Sequence, residues 1–312
     1  MMNATHADRL PERVLITGGT GFIGTALARQ LLAAGVRVSV LSRNANRATR
    51  HFEHQVTALE SMAQIDAANP PEVIVNLAGK NLGEQRWSTR VKQQLIDSRV
   101  FTTQQVVDYI AHAEIKPDLL ISGSAVGYYG ARGDEALNEE AAPGNEFQSE
   151  LCQRWEQTAL QAEQYGVRVC ISRTGVVMGQ GGGALSGLQP MFRKGLGAVA
   201  GNGRQWLSWV HMQDLINMFL HFMGDDALSG PFNNTSPHPV TNRQFAKTIG
   251  KVLHRPVWLR MPGWAMHLLY GELAHLYVTG QKVIPNRHQQ SGFDYQYPHI
   301  ESALREAMQS TA

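Results

Sequence analysis

Three glycines between a short apolar run and a helical pattern constrain this chain more than any other feature. The run RVLIT covers residues 13–17, and the helical pattern FIGTALARQLLAAG begins at residue 22. A strand that turns into a helix through such a loop lets a pyrophosphate approach the backbone and the free N–H groups of the helix. The sequence therefore predicts a dinucleotide-binding loop rather than an ordinary turn. Its predicted contacts are Gly18, Thr20, Gly21, Phe22, Ile23 and Gly24.

Further strands and helices alternate after this loop. Apolar runs predict strands over residues 36–41, 73–78, 119–124 and 167–173, with helices over 88–113 and 148–165. Such alternation is typical of a parallel sheet covered on both faces. We therefore predict an α/β fold, a Rossmann doubly wound parallel sheet over residues 12–178. A glycine- and tryptophan-rich region with predicted helices at 241–253 and 262–277 follows. It predicts a smaller C-terminal α/β substrate lobe over 179–312, interleaved with the main domain at an approximate boundary.

Composition narrows the class of protein. The formal net charge is +2 and the basic residues look scattered, which argues against nucleic-acid binding. Only two cysteines are present, so neither a disulfide scaffold nor a zinc or other metal site is expected. The N-terminus is too polar for a secretory signal. Residues 262–279 are interrupted by His267, Glu272 and His275, so a buried or lobe-lining helix is expected rather than a membrane span. We expect a cytoplasmic protein with a small-molecule substrate, and a homodimer stays open.

The end of the second predicted strand indicates which dinucleotide binds. Folds that prefer NAD usually place an acidic residue there for the ribose 2′-hydroxyl. This chain instead has Ser42 and Arg43, with no carboxylate nearby in sequence. Arg43 suits a 2′-phosphate, because a guanidinium forms charge-assisted, paired hydrogen bonds with phosphate oxygens. The sequence therefore predicts NADP(H).

The ordered motifs resemble a known family. GxxGxxG spacing, NLAG (76–79), DSRV (97–100), SGSAVGYYG (122–130), RTGVVMG (173–179), SWVHMQDL (208–215) and GQKVIPNR (280–287) occur in sequence. Together they resemble atypical extended short-chain dehydrogenase/reductases, in the epimerase group often labelled nucleoside-diphosphate-sugar epimerase-like or cell-division-inhibitor-like. The resemblance implies that Ser42 and Arg43 hold the adenosine 2′-phosphate. It also implies cofactor contacts from Leu77, Ala78, Gln94, Arg99 and Val176.

The usual catalytic set of that superfamily is incomplete here. It combines a Ser or Thr with a Tyr-x-x-x-Lys pair, in which the lysine activates the tyrosine. Ser124 matches the serine, but the pair falls on Phe147 and Leu151 or on Gln148 and Cys152, depending on register. Tyr128 and Tyr129 follow Ser124 closely and are the remaining phenolic candidates, although packing of the pocket wall is the alternative role. Without a lysine, such a tyrosine is expected to act as an acid rather than a base, and therefore to favour reduction.

Other reactive residues have structural explanations. Cys152 has no basic neighbour in sequence and is expected to be an inert thiol, while His211 and Asp214 are expected to position the second lobe or line the substrate site. The small-lobe residues Lys194, Arg204, Trp206 and Trp209 are candidates to line a pocket for a planar or anionic substrate, with lobe core as the alternative for the two tryptophans. Two functions follow. One is an NADP(H)-dependent oxidoreductase or epimerase acting on a carbonyl or sugar-like substrate, and the other is a non-catalytic NADP(H) sensor.

Overall fold

The computed structural model describes residues 10–309. Residues 1–9 and 310–312 lie outside the described part, so most of the polar N-terminal stretch is outside it too. The strands are β1 (Arg13–Thr17), β2 (Arg37–Leu41), β3 (Thr57–Leu59), β4 (Val73–Asn76), β5 (Leu119–Ala125), β6 (Ala136–Leu137), β7 (Arg168–Thr174), β8 (Val176–Met178), β9 (Ala198–Ala200), β10 (Trp206–Leu207), β11 (Trp209–His211), β12 (Gly230–Asn234), β13 (Val240–Thr241), β14 (Leu259–Met261) and β15 (Lys282–Val283).

The helices alternate with these strands through most of the main domain. They are α1 (Phe22–Ala33), α2 (Ala45–His51), α3 (Thr89–His112), α4 (Phe147–Leu160), α5 (Gly183–Arg193), α6 (Met212–Gly224), α7 (Asn242–Val252), α8 (Gly263–Tyr270), α9 (His275–Val278), α10 (Asn286–Gln290) and α11 (Ile300–Ala307). Short 3₁₀ turns cover Met62–Gln64, Val126–Tyr129, Gln161–Tyr165 and Gly271–Ala274. Side-chain caps define where several of these helices begin. The Ser88 hydroxyl accepts from the Val91 amide to begin α3, and Thr241 forms a capping box with Gln244 to begin α7.

A seven-stranded parallel sheet confirms the predicted fold class. Its spatial order is β12-β7-β5-β4-β1-β2-β3, and every neighbouring pair is parallel. The order reverses between β1 and β4, and in such sheets the crevice at the carboxyl ends beside this point binds ligands. Thr17 and Asn76 pair across the two strands there. The fold thus places the end of β1, the end of β4 and the glycine loop at one edge.

Helices cover both faces of the sheet with apolar side chains. On one face Leu27 and Leu31 of α1 pack in a core with Leu215 and Phe219 of α6. The other face is covered by α3 and α4, whose buried residues include Ile110 and Ala159. The strands between are nearly continuous apolar runs, as expected when both faces are buried.

The two lobes are interleaved more deeply than the boundary at residue 178 suggests. After α5 and the small-lobe strands, α6 packs on the main sheet and β12 adds its outer strand beside β7. The small lobe has a separate core in which Phe192, Trp209, Phe245 and Leu304 are buried. Residues 212–234 therefore belong structurally to the main domain.

The predicted helix over 262–277 is wrong in two respects. It is broken after Tyr270, because Gly271 takes a positive φ of 60° and a 3₁₀ turn follows before α9. It is also largely exposed: Met266 is buried, whereas Trp264 is 73% exposed and Leu268 70%. Within residues 10–309, no helix has both the length and the apolar character that crossing a bilayer requires.

Candidate functional site

The glycine loop is held tightly against the strand end of β4. Gly18 has a φ of +68°, and a Cβ there would lie 2.8 Å from the carbonyl carbon of Leu77. A Cβ on Gly24 would lie 2.4 Å from the Gly18 carbonyl oxygen. Gly21 is exposed at the start of α1, and its amide donates to that same oxygen at 2.9 Å. Gly18 and Gly24 are thus required by the loop itself, while Thr20 and Gly21 lie on its exposed side.

A short hydrogen-bonded bridge places Leu77 and Ala78 beside this loop. The Thr17 hydroxyl donates to the Asn76 side-chain oxygen at 2.7 Å and accepts from the Ala78 amide at 3.2 Å. The Leu77 amide donates to the Thr17 carbonyl at 3.1 Å. Both residues are half-buried and lie at the switch point of the sheet. Phe22 also contributes to the site by packing against the loop of Gly182 and Gly183, and Ile23 packs against the main core.

The predicted 2′-phosphate site lies at the end of β2. Arg43 is exposed and forms no ion pair with any residue of the described chain, and the Ser42 hydroxyl is 3.3 Å from the Asn44 amide. The fold also brings Glu60, which is distant in sequence, to this site. A Glu60 carboxylate oxygen accepts a hydrogen bond from the Ala45 amide at 3.0 Å. A carboxylate therefore does lie near this site, although it follows β3 rather than β2. It is engaged by the first turn of α2 and leaves the Arg43 guanidinium available.

Arg99 is a buried cation beneath the loop that follows β4. A Cβ on Gly79 would lie 2.9 Å from its guanidinium carbon, and that carbon lies 5.2 Å from the Trp155 ring centroid. One guanidinium nitrogen donates to the Leu95 carbonyl. Burial lowers the pKa of Arg99, and no carboxylate among residues 10–309 forms an ion pair with it. Gln94, one turn earlier, accepts from the Lys80 ammonium at 2.7 Å, so its amide oxygen is occupied.

Ser124 begins a buried polar chain at the carboxyl end of β5. Its hydroxyl donates to Glu156 at 2.6 Å, and both Glu156 oxygens accept from the Arg173 guanidinium at 2.9 and 2.8 Å. Glu156 and Arg173 are both buried. Burial lowers the pKa of Arg173, but the hydrogen bonds and the charge of Glu156 raise it by more, so the net shift is upward. Sequence reasoning missed this pair. The signal was a charged residue at the end of an otherwise apolar buried strand, with an acid on the neighbouring helix.

The two tyrosines after Ser124 have different environments. The Arg173 guanidinium carbon lies 3.5 Å from the Tyr128 ring centroid, and Tyr128 is half-buried. Tyr129 is fully buried; its hydroxyl donates to Asn233 at 2.6 Å and accepts from Arg173 at 3.0 Å. Burial raises the pKa of Tyr129 to about 12. These contacts argue against Tyr129 as a proton donor and leave Tyr128 as the accessible phenol.

The structure selects one of the two registers for the missing pair. Gln148 and Cys152 lie on the face of α4 that packs against β5 and the 3₁₀ turn after it. The Cys152 thiol donates to the Ala125 carbonyl, and Gln148 lies against Gly127. Burial raises the pKa of Cys152 to about 11. The tyrosine and lysine positions are therefore filled by an amide and a protonated thiol, and the predicted inertness of Cys152 fits this geometry.

The remaining candidates all make contacts within the protein, and His211 also lines the cavity beside the glycine loop. Asp214 accepts from the Gln296 and Tyr297 amides, and the His211 ring bonds to Glu306 at 2.7 Å. Trp209 is core, while Trp206 donates to Asp134. Val176 starts β8, is half-buried, and its amide donates to the Ser208 carbonyl.

A cavity of about 600 Å³ opens beside the glycine loop. It is lined by Gly21 and Phe22 on one side and by Gln180, Tyr297 and Glu306 on the other. It lies between the main domain and the small lobe at the phosphate end of the site, not at Ser124.

The fold and the site together define a Rossmann-type dinucleotide-binding protein without the usual tyrosine–lysine pair. The chain belongs to the NAD dependent epimerase/dehydratase family, whose model matches residues 14–243, and a domain of unknown function, DUF1731, matches residues 261–307. The family resemblance predicted from the motifs is thereby confirmed.

Named relatives extend over most of the chain. The Arabidopsis thaliana epimerase family protein SDR39U1 homolog, chloroplastic, is 37% identical over 302 residues, covering 95% of this chain and 86% of that protein. The epimerase family protein ML0860 of Mycobacterium leprae is 38% identical, covering 93% and 94%.

A solved structure of the human epimerase family protein SDR39U1 with NADPH superposes with a TM-score of 0.86. It is 32% identical, covering 95% of this chain and 98% of that one. The UDP-glucose 4-epimerase of Thermotoga maritima, solved with UDP-glucose, has a TM-score of 0.77 at 17% identity, covering 95% and 97%, which shows a shared fold alone.

Proposed function

We propose that this chain binds NADP(H) and works as a reductase of the epimerase family, acting on a carbonyl or sugar-like small molecule. The observation that carries the proposal is the placement of the glycine loop and Arg43 after the carboxyl ends of the neighbouring strands β1 and β2, with Ser124 at the same edge of the sheet. The human relative solved with NADPH supports the choice of cofactor.

The residues present fit that cofactor. A Cβ on Gly18 or Gly24 would collide with backbone, so the loop keeps the close approach that a pyrophosphate needs. Thr20, Gly21, Phe22 and Ile23 would hold the pyrophosphate at the start of α1, and Ser42 with Arg43 would hold the 2′-phosphate. Leu77 and Ala78 would form the wall along the ribose, with Val176 near the nicotinamide. Arg99 would act as a further positive group beneath the path, with Gln94 one turn away.

The chemistry assigned to the chain is protonation of the substrate oxygen. Bound NADPH would supply a hydride to the carbonyl carbon. The Tyr128 hydroxyl would then give its proton to the carbonyl oxygen, so that the product is the alcohol. Ser124 donates its only hydroxyl proton to Glu156 in this structure, so it would orient that oxygen by turning this proton from Glu156 to the carbonyl. Arg173, stacked on the Tyr128 ring, would hold the phenol in place and balance negative charge left on it.

A second function is favoured by one specific observation. Gln148 and Cys152 occupy the acid–base positions, and neither supplies the activation that a lysine gives. A protein that binds NADP(H) at this site without turnover would report the redox state of the pool. In that case the protein would act through a conformational change on cofactor binding and would catalyse no reaction.

The experiment that separates these functions is single-turnover oxidation of NADPH. Enzyme in excess over NADPH is mixed with ketones, quinones and nucleotide sugars, and absorbance of the reduced nicotinamide is followed. For any substrate that reacts, Tyr128→Phe is expected to slow the chemical step by about a hundredfold, the usual value of a positioned general acid. Tyr129→Phe is the matched control, because its hydroxyl is already bonded within the core.

Each result bears on one function. Loss of rate in Tyr128→Phe and Ser124→Ala, with NADPH affinity retained, supports the reductase. Wild-type rates in both variants would contradict the assigned acid and its orienting serine. Tight NADPH binding without turnover on the whole panel would favour the sensor.

A further inference from the structure

An apolar surface on the small lobe is uncovered in the described chain. Trp258 is 78% exposed and Trp264 73%, and Leu268 is 70% exposed. Trp264 and Leu268 are four residues apart on α8 and face away from the buried Met266, so they share one side of that helix. Large apolar side chains that are exposed together mark an interaction site more often than isolated ones do.

The patch continues onto the neighbouring strand and turn. Leu259 of β14 pairs with Ala198 of β9, and Leu196 lies two residues before Ala198. Leu196 is 53% exposed. The Arg255 side chain donates to the Arg193 carbonyl, which ties the segment before β14 to the end of α5. We call these apolar residues the tryptophan patch. It comprises Leu196, Trp258, Leu259, Trp264, Leu268 and Leu269.

The chain segments that carry the tryptophan patch contain basic residues but no acidic ones. The sequence from 227 to 271 contains no Asp or Glu, and neither does the sequence from 190 to 205. Over residues 179–271 there are eight Lys and Arg residues against three Asp, a local net charge of +5 in a chain whose total is +2. This excess reflects a scarcity of acidic residues, since eight Lys and Arg among 93 residues match the density of 28 among 312 in the whole chain. Lys194, Arg255 and Arg260 are exposed at the rim of the patch.

A second copy of the chain is a poor occupant for such a surface. A two-fold contact sets the same patch against itself. Lys194, Arg255 and Arg260 would then face the same cations, and like charges brought together across an interface oppose association.

An anionic lipid surface satisfies both features. Tryptophan and leucine side chains bury well at the boundary between headgroups and acyl chains, and adjacent cations are attracted to anionic headgroups. We propose that the tryptophan patch docks this protein peripherally on an anionic lipid bilayer, with α8 lying in the plane of the surface. This contact is distinct from a membrane span, and it leaves the glycine loop and the NADP(H) site on the main domain.

The test is co-sedimentation of the full chain with vesicles. One set contains phosphatidylcholine alone and the other equal parts of phosphatidylcholine and phosphatidylglycerol. We expect binding to the anionic set with a blue shift of tryptophan fluorescence, and weakening by salt. Trp264→Ala is expected to weaken the binding about tenfold, and Lys194→Glu about fivefold or more. Phe101→Ala is the matched control, since Phe101 is 64% exposed on α3 outside the patch.

NADPH affinity and circular dichroism confirm that each variant is folded, and Trp258→Ala provides an independent apolar variant. No binding to the anionic vesicles would overturn the proposal, and so would equal binding to both sets. Retained binding in both tryptophan variants would overturn the assignment of the patch. A dimer that Trp264→Ala dissociates, without vesicle binding in the wild type, would make this surface an interface between copies instead.

Discussion

Gly21 and Gly24 lack a side chain for different reasons, one to leave room for a ligand and the other to allow the fold. Gly24 is needed by the fold, because its missing Cβ would lie 2.4 Å from the Gly18 carbonyl oxygen. Gly21 has an ordinary φ of −79°, and a Cβ there would lie 3.1 Å from the same oxygen, on the exposed side of the loop. Its absence therefore leaves room for a ligand more than it relieves strain.

This difference predicts opposite effects for two substitutions. Gly21→Val is expected to abolish NADPH binding while the melting temperature changes little, because the side chain fills space for the pyrophosphate. Gly24→Ala is expected to lower the free energy of unfolding by about 2 kcal/mol, the usual cost of overpacking. Thermal unfolding and NADPH titration of both variants check this. A folded Gly21→Val protein with normal NADPH affinity would show that the loop is only a turn.

Individual residues were predictable where their role is local. Gly18, Ser42 and Ser124 follow directly from motif position, since the strand that carries each one also places it. The charge of Arg173 at the end of a buried strand was a signal in the sequence, but its pairing with Glu156 was missed because it joins α4 to β7 across the carboxyl edge of the sheet. Likewise Glu60 reaches α2 only because β3 lies beside β2.

At the scale of elements, α10 places a neutral histidine under β12. His288 is fully buried, and its Nε2 lies 2.8 Å from the Asn234 side-chain oxygen. Burial, with smaller effects from His221 and Arg287, lowers the pKa of His288 from 6.5 to about 3. Between those pH values the unfolded chain binds a proton that the folded chain excludes. The free energy of unfolding therefore falls as the pH is lowered through this window.

We expect this group to cost the folded state about 2 kcal/mol between pH 7 and pH 5. Urea unfolding of wild type and His288→Gln at both pH values measures it. The variant is less stable at pH 7, since it loses packing, but its stability falls less on acidification. His112→Gln, at an exposed histidine on α3, is the control and keeps the wild-type pH dependence. An identical pH dependence in His288→Gln would contradict the prediction.

The predicted elements agree with the structure where periodicity is strong. β1, β2, β4, β5, β7 and α3 all lie within one to two residues of the predicted bounds. Two strands of the sheet went unpredicted for physical reasons: β3 has only three residues, and β12 reads GPFNN, a composition typical of turns. Their strand conformation comes from pairing with neighbours, not from local preference.

At the scale of the whole molecule, each lobe is built from segments that are not consecutive in sequence. The main sheet is completed by β12, far from its other strands in sequence, so a single boundary cannot divide the two lobes. The total charge likewise hides an uneven distribution of charge. The small lobe carries a net positive charge, and the rest of the chain carries a net negative charge. The result is a dinucleotide site on the main domain and a basic, apolar surface on the small lobe. A cytoplasmic location remains a prediction.

The central claim is that the glycine loop and Arg43, at the ends of the neighbouring strands β1 and β2, select NADP(H). Calorimetric titration of the wild type with NADPH and NADH tests it most directly. We predict tighter NADPH binding by at least about tenfold, because a charge-assisted contact to the 2′-phosphate contributes about 1.5 to 3 kcal/mol. Arg43→Ala should bring NADPH affinity down to that of NADH and leave NADH unchanged. Equal affinities in the wild type, or an equal loss for both cofactors in Arg43→Ala, would contradict the account.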